Sequence, residues 1–286
     1  MIHVELLLTT IVQGILVGGI YALLAMGTNL IVGIMNIINL SQGDFAMLGM
    51  FTAFWLFALF GITPLISLPL AFLLTFIAGF LLTKFIFVRV FGLQPIYSVL
   101  LTYGLALFVM NAAQAVWTGD YRRIDVSYGA LRYSFLSVNN NYLIAFIFAT
   151  VLSFVIYSFL TRTRLGKAIR AVSQDPDAAA SSGINVRVIR AITAGIGLGL
   201  AGAAGVLMTL IYFIYPYVGS TFTIKAIIVC VLGGLGNVMG AYFSALIIGL
   251  AESLSLFFVP YGLKDAVGFI IFILILLFRP KGLFGG

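Results

Sequence analysis

The side chains of this chain that could do chemistry are a few polar residues inside or between long apolar stretches. One group, at Asn36, Asn39, Gln42 and Asp44, lies between two apolar runs. A polar or charged side chain within a bilayer is energetically costly, so such residues are functional candidates by default. For Asp44 two interpretations stay open: a residue of a transport pathway, or a helix cap near a membrane interface.

A second group belongs to a glycine-rich stretch, Gly233-Gly234-Leu235-Gly236-Asn237. Glycine destabilises helix interiors, so this stretch predicts a bend. Inside a membrane, freed backbone groups are tolerated only where protein or a water-filled cavity surrounds them. Breaks near residues 36–44 and 233–240, one in each half of the chain, are typical of transporters with discontinuous helices around a midplane pathway.

Glu252 is a third candidate, because it lies within the apolar stretch Leu250–Val259. It either lines a pathway or is the buried partner of Lys225 or Lys264. The predicted pathway residues are therefore Asn36, Asn39, Gln42, Asp44, Gly233, Gly234, Gly236, Asn237 and Glu252.

The composition explains why these polar residues stand out. Of the 286 residues, 63% are hydrophobic and 8% are charged, and the mean hydropathy is +1.21. Roughly a quarter of the residues in a soluble domain are charged, so these values exclude water-soluble enzymes, nucleic-acid-binding proteins and disordered chains. The chain has one cysteine and one histidine, which leaves almost no material for a metal centre or a Ser-His-Asp triad.

Stretches free of Asp, Glu, Lys and Arg define the elements that must position these residues. A helix that crosses a bilayer needs about 20 apolar residues. The charge-free stretches provide seven to nine such helices, two of them separated near residues 61–64. We therefore predict an all-α polytopic membrane protein, a single transmembrane domain over residues 1–286 with discontinuous segments near 36–44 and 233–240.

The charges between the apolar stretches predict the orientation. Loop 162–190 carries six Arg or Lys residues against two Asp residues, so the positive-inside rule places it in the cytoplasm. Counting outward, residues 119–141 are expected outside and residues 84–95 inside. The C-terminal segment, with Arg279 and Lys281, is expected inside. The side of the N-terminus stays open.

Loop 162–190 begins with a predicted amphipathic helix that lies along the membrane surface or against other helices. Its apolar face, at helical spacing, is formed by Leu165, Ala168, Ile169 and Val172. Its opposite face carries the basic residues Arg164, Lys167 and Arg170.

A second, shorter helix is predicted directly after the first. Asp175 suits the N-cap position and Pro176 the first helical position. Asp177 suits the positive end of the helix dipole, and Gly183 suits the C-terminal stop. Such a rigid, capped helix could be the docking point of a partner, or it could only contact lipid headgroups.

Several segments carry a family resemblance, in the same order along nearly the whole chain. They are Gly19-Ile-Tyr21, Asn39-x-Ser-Gln-Gly43-Asp44, Arg164-x-Gly-Lys-Ala-Ile-Arg170, Gln174-Asp175-Pro176-Asp177, Gly183-Ile-Asn185, Val231-Leu-Gly-Gly-Leu-Gly236 and Arg279-Pro-Lys-Gly-Leu-Phe284. In these segments the chain resembles the bacterial ABC-importer permeases for branched-chain amino acids, the LivH type. The family usually has a histidine where Gln42 stands, so the resemblance implies no protonation role at that position.

The resemblance implies a transport subunit rather than an enzyme, located in the plasma (inner) membrane, that translocates branched-chain or other small neutral amino acids. The implied partners are a second, homologous permease subunit, two cytoplasmic ATP-binding subunits, an extracytoplasmic substrate-binding protein and membrane lipid, with no nucleic acid. ATP and Mg would be bound by the ATP-binding subunits, so no cofactor is expected on this chain. The implied ATPase-coupling residues are Arg164, Gly166, Arg170, Asp175, Pro176, Asp177, Ala179 and Gly183.

Other functions stay open at this point. Permeases for urea, amides or sugars share the same superfamily motifs. A secondary amino-acid transporter driven by Na⁺ or H⁺ would need intramembrane carboxylates, and Asp44 and Glu252 are the strong candidates. A channel or a structural membrane scaffold is the remaining alternative.

Overall fold

The computed structural model describes residues 2–133, 136–260 and 263–285. Within these residues the chain forms eleven α-helices, a short 3-10 helix at Phe87–Arg89 and two antiparallel strands. The helices are α1 (Ile2–Met35), α2 (Gln42–Phe60), α3 (Pro64–Phe85), α4 (Pro95–Trp117), α5 (Asn140–Arg162), α6 (Arg164–Gln174), α7 (Pro176–Ser181), α8 (Val186–Met208), α9 (Val218–Gly233), α10 (Val238–Ser255) and α11 (Lys264–Phe278). The strands are β1 (Ala130–Tyr133) and β2 (Leu136–Asn139), with Ala130 opposite Asn139.

Seven helices in the described part of the chain are long and apolar enough to cross a membrane, namely α1 to α5, α8 and α10. Helix α9 is apolar but shorter, with 16 residues. The predicted all-α polytopic membrane protein is confirmed, with candidate spans at the lower end of the predicted range. The two strands add a small sheet within the connection between α4 and α5.

Local sequence explains where α2 ends and α3 begins. Gly61 ends α2 in the left-handed conformation, with φ of 66°, which glycine adopts at little cost. Thr63 then takes extended backbone as the N-cap of α3, and Pro64 fills the first helical position. The division predicted near residues 61–64 is therefore correct.

Helices α1 and α8 form the centre of the bundle. In the apolar stretch of each of these two helices 94% of the residues are buried, against 17% in the apolar stretch of α4. The two helices cross at Gly27 and Gly197, where each glycine lies against the backbone of the other. Small residues at a crossing let membrane helices approach closely, so this crossing fixes the core that the other spans surround.

The first and last thirds of the described chain follow the same plan. In the first third, α1 is followed by the irregular segment 36–41, the shorter helix α2, a turn that contains glycine, and α3. In the last third, α8 is followed by the irregular segment 209–217, the shorter helix α9, a turn that contains glycine, and α10. The central helix of each third packs most extensively on the third helix of the other, α1 on α10 and α8 on α3. The two shorter helices, α2 and α9, meet within their first two turns, where the Gly43 N–H donates to Thr223 Oγ1 at 2.8 Å.

This plan pairs the helix breaks differently from the sequence prediction. Both predicted breaks exist, at residues 36–41 and 234–237. In the order of elements, however, the first break has the same place in the first third as the connection 209–217 has in the last third. The second break has the same place in the last third as the turn 61–63 has in the first third. The second break lies beside the end of α1, where a Cβ added to Gly33 would be 2.8 Å from the Gly236 Cα atom, whereas the first break leads from the end of α1 to the start of α2.

We call the end of the bundle that holds residues 162–190 the loop end. Ser173 in this loop donates to the Gly33 carbonyl at 2.6 Å, so α1 finishes at the loop end. The Leu283 N–H bonds the Leu232 carbonyl at 2.7 Å, and the Arg190 guanidinium lies 4.7 Å from the Phe91 ring centroid. The C-terminal segment and residues 84–95 thus share the loop end, as the charge pattern predicts.

The opposite end, which we call the far end, holds the other connections. Asn141 at the start of α5 donates to the Leu210 carbonyl at 3.2 Å, and Arg122 pairs through its backbone with Ile214. Helix α1 also begins at this end, since Gly14 lies against Ser253 near the end of α10. That the loop end faces the cytoplasm stays a prediction.

Candidate functional site

A buried ion pair lies toward the far end, between α9 and α10. The Lys225 ammonium group is 2.8 and 2.7 Å from the two carboxylate oxygens of Glu252. The two side chains are 8% and 2% exposed. The same ammonium group is 2.8 Å from Asp265 Oδ1 on α11, whose side chain is 53% exposed. A charge is tolerated at such depth only when it is paired, so three helices are joined here by one cation.

Two tyrosines complete this group. The Tyr21 hydroxyl on α1 donates to Glu252 Oε2 at 3.2 Å and accepts from Lys225 Nζ at 3.1 Å. It also lies 3.1 Å from the Tyr212 hydroxyl, in the connection between α8 and α9. We call Tyr21, Tyr212, Lys225, Glu252 and Asp265 the Lys225 cluster. It ties both thirds of the bundle together.

The Lys225 cluster borders a cavity of about 250 Å³ at the far end. The cavity is lined by Tyr21, Tyr121, Tyr212, Phe213, Tyr215, Val218, Thr221, Phe222, Lys225, Lys264 and Asp265. Its walls therefore offer ammonium groups, a partly exposed carboxylate and aromatic faces. This combination can bind both charged ends of a small zwitterion and an apolar side chain between them.

The structure resolves the two interpretations of Glu252. Its carboxylate is the partner of Lys225, as the second interpretation predicted, and it is not among the residues that line the cavity. Lys225 itself reaches the cavity, so Glu252 acts on this space through Lys225. The sequence contained a signal for Lys225, since this lysine interrupts a stretch otherwise free of charge from Ala191 to Ala251. Nothing in the sequence identified Tyr21 or Asp265 as further members.

The first break is closed by its own polar side chains. Asn39 accepts from the Ser41 N–H at 3.0 Å and hydroxyl at 2.7 Å, and donates to Gln42 Oε1 at 3.2 Å. Gln42 in turn donates to the Gly197 carbonyl at 3.0 Å, at the midpoint of α8. Asn36 is exposed and adopts a left-handed φ of 52° where α1 ends. Of the predicted pathway residues here, Asn39 and Gln42 thus hold the break in shape.

Asp44 lies buried in the first turn of α2. The N-cap of α2 is Ser41, so the interpretation of Asp44 as a helix cap is wrong. Its carboxylate points at the start of α9, where a Cβ added to Gly219 would lie 2.5 Å from Asp44 Oδ1. Two helix N-termini meet at this point, and their dipoles favour a negative charge there. Asp44 therefore joins the two shorter helices near the middle of the bundle.

The second break is held by Asn29 of α1. This side chain donates to the carbonyls of Gly234 and Asn237, at 3.1 and 3.0 Å, and accepts from the Gly236 N–H. Gly234 and Gly236 both have φ near 85°, which favours glycine. Asn237 caps α10 by accepting from the Gly240 N–H at 2.9 Å. Gly233, at the end of α9, packs on the backbone of α10. Sequence reasoning left Asn29 out of the pathway set, although it is the main partner of this break.

A cavity of about 410 Å³ separates this break from the loop helix α6. Its lining includes Asn29, Gly236 and Asn237 on one side and Ile169, Arg170 and Ser173 on the other. The predicted pathway residues therefore fall into three places. Glu252 lies toward the far end, residues 36–44 run from the end of α1 to the middle of the bundle, and residues 233–237 lie at the loop end.

Helix α6 packs on the bundle through one face. Gly166, Ile169 and Val172 are buried, while the basic side chains Arg164, Lys167 and Arg170 are exposed. A Cβ at Gly166 would collide with the backbone of α5 at residues 159–160. Leu165, at the start of the predicted apolar face, is 47% exposed. The spacing predicted the helix correctly, and the buried stripe runs from Gly166 through Ile169 to Val172.

Helix α7 has the predicted caps. Asp175 Oδ1 accepts from the N–H groups of Asp177 and Ala178, at 2.9 and 3.0 Å. Pro176 begins the helix, and Gly183 follows it with φ of 83°. Ala179 is buried against the bundle, while Asp175 and Asp177 are exposed. The helix is thus a short, rigid projection whose polar residues are free to meet a partner.

These features define a multi-pass membrane protein with discontinuous helices. Residues 10–276 match the family described as branched-chain amino acid transport system / permease component. Because the match covers most of the chain, the chain belongs to this family. The predicted resemblance is confirmed.

Named relatives agree with this assignment. The chain is 31% identical to the high-affinity branched-chain amino acid transport system permease protein BraD of Pseudomonas aeruginosa, over 97% of this chain and 95% of that protein. It is 28% identical to the permease protein LivH of Salmonella typhimurium, over 96% and 94%. It is 26% identical to the permease protein LivM of Escherichia coli K12, over 92% of this chain and 67% of that protein. No solved structure gives a significant match. The relatives are transport permeases and not enzymes, as predicted.

Proposed function

We propose that this chain is the membrane-embedded permease subunit of an ATP-binding-cassette importer for branched-chain or other small neutral amino acids. The observation that carries the proposal is the family match over residues 10–276. The chain would lie in the plasma (inner) membrane as a single transmembrane permease domain, with loop 162–190 and the C-terminus in the cytoplasm. ATP and Mg would be bound by partner subunits, so this chain performs no chemical step.

The partners follow from the two ends of the molecule. LivH and LivM are both named as permease proteins of one kind of transport system, which supports pairing of this chain with a second, homologous permease. Two ATP-binding subunits would dock at the loop end, and an extracytoplasmic substrate-binding protein would deliver the amino acid at the far end. The cavity beside the Lys225 cluster offers groups of both charges and aromatic faces at that end. An arriving amino acid would meet this cavity first.

Coupling would begin at helices α6 and α7. An ATPase subunit that moves α7 also moves α6, and the Ser173 hydrogen bond transmits this movement to Gly33 on α1. One turn earlier, Asn29 holds the second break through three hydrogen bonds. A displacement of the loop is therefore passed to the break at residues 234–237. This route gives the predicted coupling residues of α6 and α7 a mechanical connection to the transport bundle.

Uptake measurements test the coupling role. Deletion of residues 175–183, or the substitution Gly183→Pro, should abolish amino-acid uptake in cells that carry all the partner subunits. The amount of protein in the membrane should stay the same, because α7 contributes few buried contacts. The matched control is Gly92→Pro, at another positive-φ glycine of the loop end with open space around it. Normal uptake by the α7 variants would refute the coupling role, and uptake without any ATPase subunit would point to a secondary transporter.

A further inference from the structure

A second cavity of about 410 Å³ lies at the loop end, and no residue of α6 or α7 lines it. It is formed by the end of α3, the segment that follows it and the start of α8. The lining residues are Phe80, Thr83, Lys84, Val88, Phe91, Asn185, Arg187, Val188 and Ala191. Two of these residues are cations, Lys84 and Arg187, and none of the described lining residues is acidic. The cavity is therefore a basic pocket at the point where helices leave the apolar part of the bundle.

Two buried donors, one lining this cavity and one next to its lining residue Phe91, have no hydrogen-bond partner among the described residues. The Thr83 hydroxyl lines the cavity, and the residue is 1% exposed. The Arg190 Nε group is also buried and unpaired, next to Phe91, whose ring lies beneath the guanidinium. Buried polar groups are normally hydrogen-bonded. The Thr83 hydroxyl can donate, so the cavity that it lines suits a ligand with acceptor oxygens.

The start of α8 adds a favourable dipole. Residues Asn185, Arg187 and Val188 belong to the N-cap and first turn of this 23-residue helix, which carries partial positive charge. The carboxylate that acts on Arg190 is that of Asp177, which is exposed on α7 and does not line the cavity. The electrostatics of the pocket thus favour an anion.

The surface that leads away from the pocket is apolar. Leu70, Leu73 and Ile77 follow one face of α3 at helical spacing, in line with Lys84, and they are 42%, 50% and 43% exposed. This face runs from the loop end toward the middle of the bundle. It provides a track on which a hydrocarbon chain can lie, which a free phosphate ion would not use.

From this arrangement we infer that the cavity binds the phosphate headgroup of an anionic phospholipid, with its acyl chains along the exposed face of α3. Lys84 and Arg187 supply the charge, and the Thr83 hydroxyl supplies a hydrogen bond to a phosphate oxygen, while Arg190, which does not line the cavity, adds positive charge next to Phe91. The site is separate from the cavity beside the Lys225 cluster, with which it shares no described lining residue. It would fix the ends of α3 and α8 to the membrane surface.

Native mass spectrometry of the full-length chain in detergent tests this site. Phosphatidylglycerol and phosphatidylcholine with the same acyl chains, and inorganic phosphate alone, are the three probes. We expect phosphatidylglycerol to bind about tenfold or more tightly than phosphatidylcholine. The double variant Lys84→Gln with Arg187→Gln should lose this preference. The matched control, Arg162→Gln with Lys167→Gln, removes two exposed cations of the loop end that do not line the cavity.

A third variant separates binding from folding. Thr83→Val removes a hydroxyl without a hydrogen-bond partner in the described part of the chain, so the unfolding temperature without added lipid should not fall, while phosphatidylglycerol binding weakens severalfold. Equal affinity for the two lipids, or an equal loss in the control variant, would overturn the proposal. Saturable binding of inorganic phosphate without a preference for phosphatidylglycerol would also overturn it, in favour of a free-anion site.

Discussion

The ammonium group of Lys225 is shared between one buried carboxylate and one partly exposed carboxylate. Its removal leaves Glu252 buried with a tyrosine hydroxyl as its remaining partner in the cluster. Loss of one member of a buried pair costs about 3–5 kcal/mol, whereas loss of both members can be nearly neutral. Variants that lack one member of the pair should therefore be less stable than the variant that lacks both.

We therefore expect Lys225→Met to lower the free energy of unfolding by about 3–5 kcal/mol, and Lys225→Met with Glu252→Met to recover most of that loss. Chemical unfolding of the purified chain measures both. The exposed pair Arg123–Asp125, 3.4 Å apart, is the control, and its disruption should change little. A double variant as unstable as the single variant would contradict this account. A stable double variant without uptake would assign the pair a role in transport.

Helix α7 has six residues, too few to be stable in isolation. Its stability therefore depends on the two hydrogen bonds that Asp175 accepts. Asp175→Ala should destabilise this helix by about 1 kcal/mol and reduce uptake by the assembled transporter. Asp175→Asn keeps the capping oxygen and should keep most of the uptake. If the alanine and asparagine variants transported equally well, the cap would have no part in coupling.

The contact between α2 and α9 makes a prediction about glycine. A Cβ at Gly219 would lie 2.5 Å from the Asp44 carboxylate and 2.8 Å from the Asp44 Cα atom. Gly219→Ala should therefore destabilise the chain by about 1–3 kcal/mol through overpacking. Gly104→Ala on α4 is the matched control, because nothing lies within 4 Å of that position. Since alanine favours helix, the control should be neutral or slightly stabilising. Thermal unfolding in detergent compares the two, and equal midpoints would contradict the described contact.

Elements whose limits depend on neighbouring residues could be predicted from the sequence. Gly61 and Pro64 separate α2 from α3, and Asp175 and Gly183 bound α7, because caps act within one turn. The orientation of α6 was less predictable. Its spacing shows an apolar stripe, but neither the contact of Gly166 with the backbone of α5 nor the 47% exposure of Leu165 at the start of the helix follows from that spacing.

At the scale of the whole molecule, the sequence suggested the contact between Lys225 and Glu252 but not the contacts between its two ends. Lys225 and Glu252 are 27 residues apart, but Tyr21 is 204 residues from Lys225. The correspondence between the first break and the connection 209–217 was also hidden, because the two segments share no obvious composition. It emerges only from the packing of α1 on α10 and of α8 on α3. The family motifs indicated the class of protein without revealing this arrangement.

The exchange of packing partners between the two thirds of the bundle has a consequence for biosynthesis. When α1 to α4 have left the ribosome, the helices that cover Asn29 and Asp44 have not yet been made. These polar groups then face lipid or the insertion machinery until α8 to α10 arrive. We therefore expect the nascent chain to stay beside the insertase until its last third is synthesised, because neither third can bury its polar residues alone.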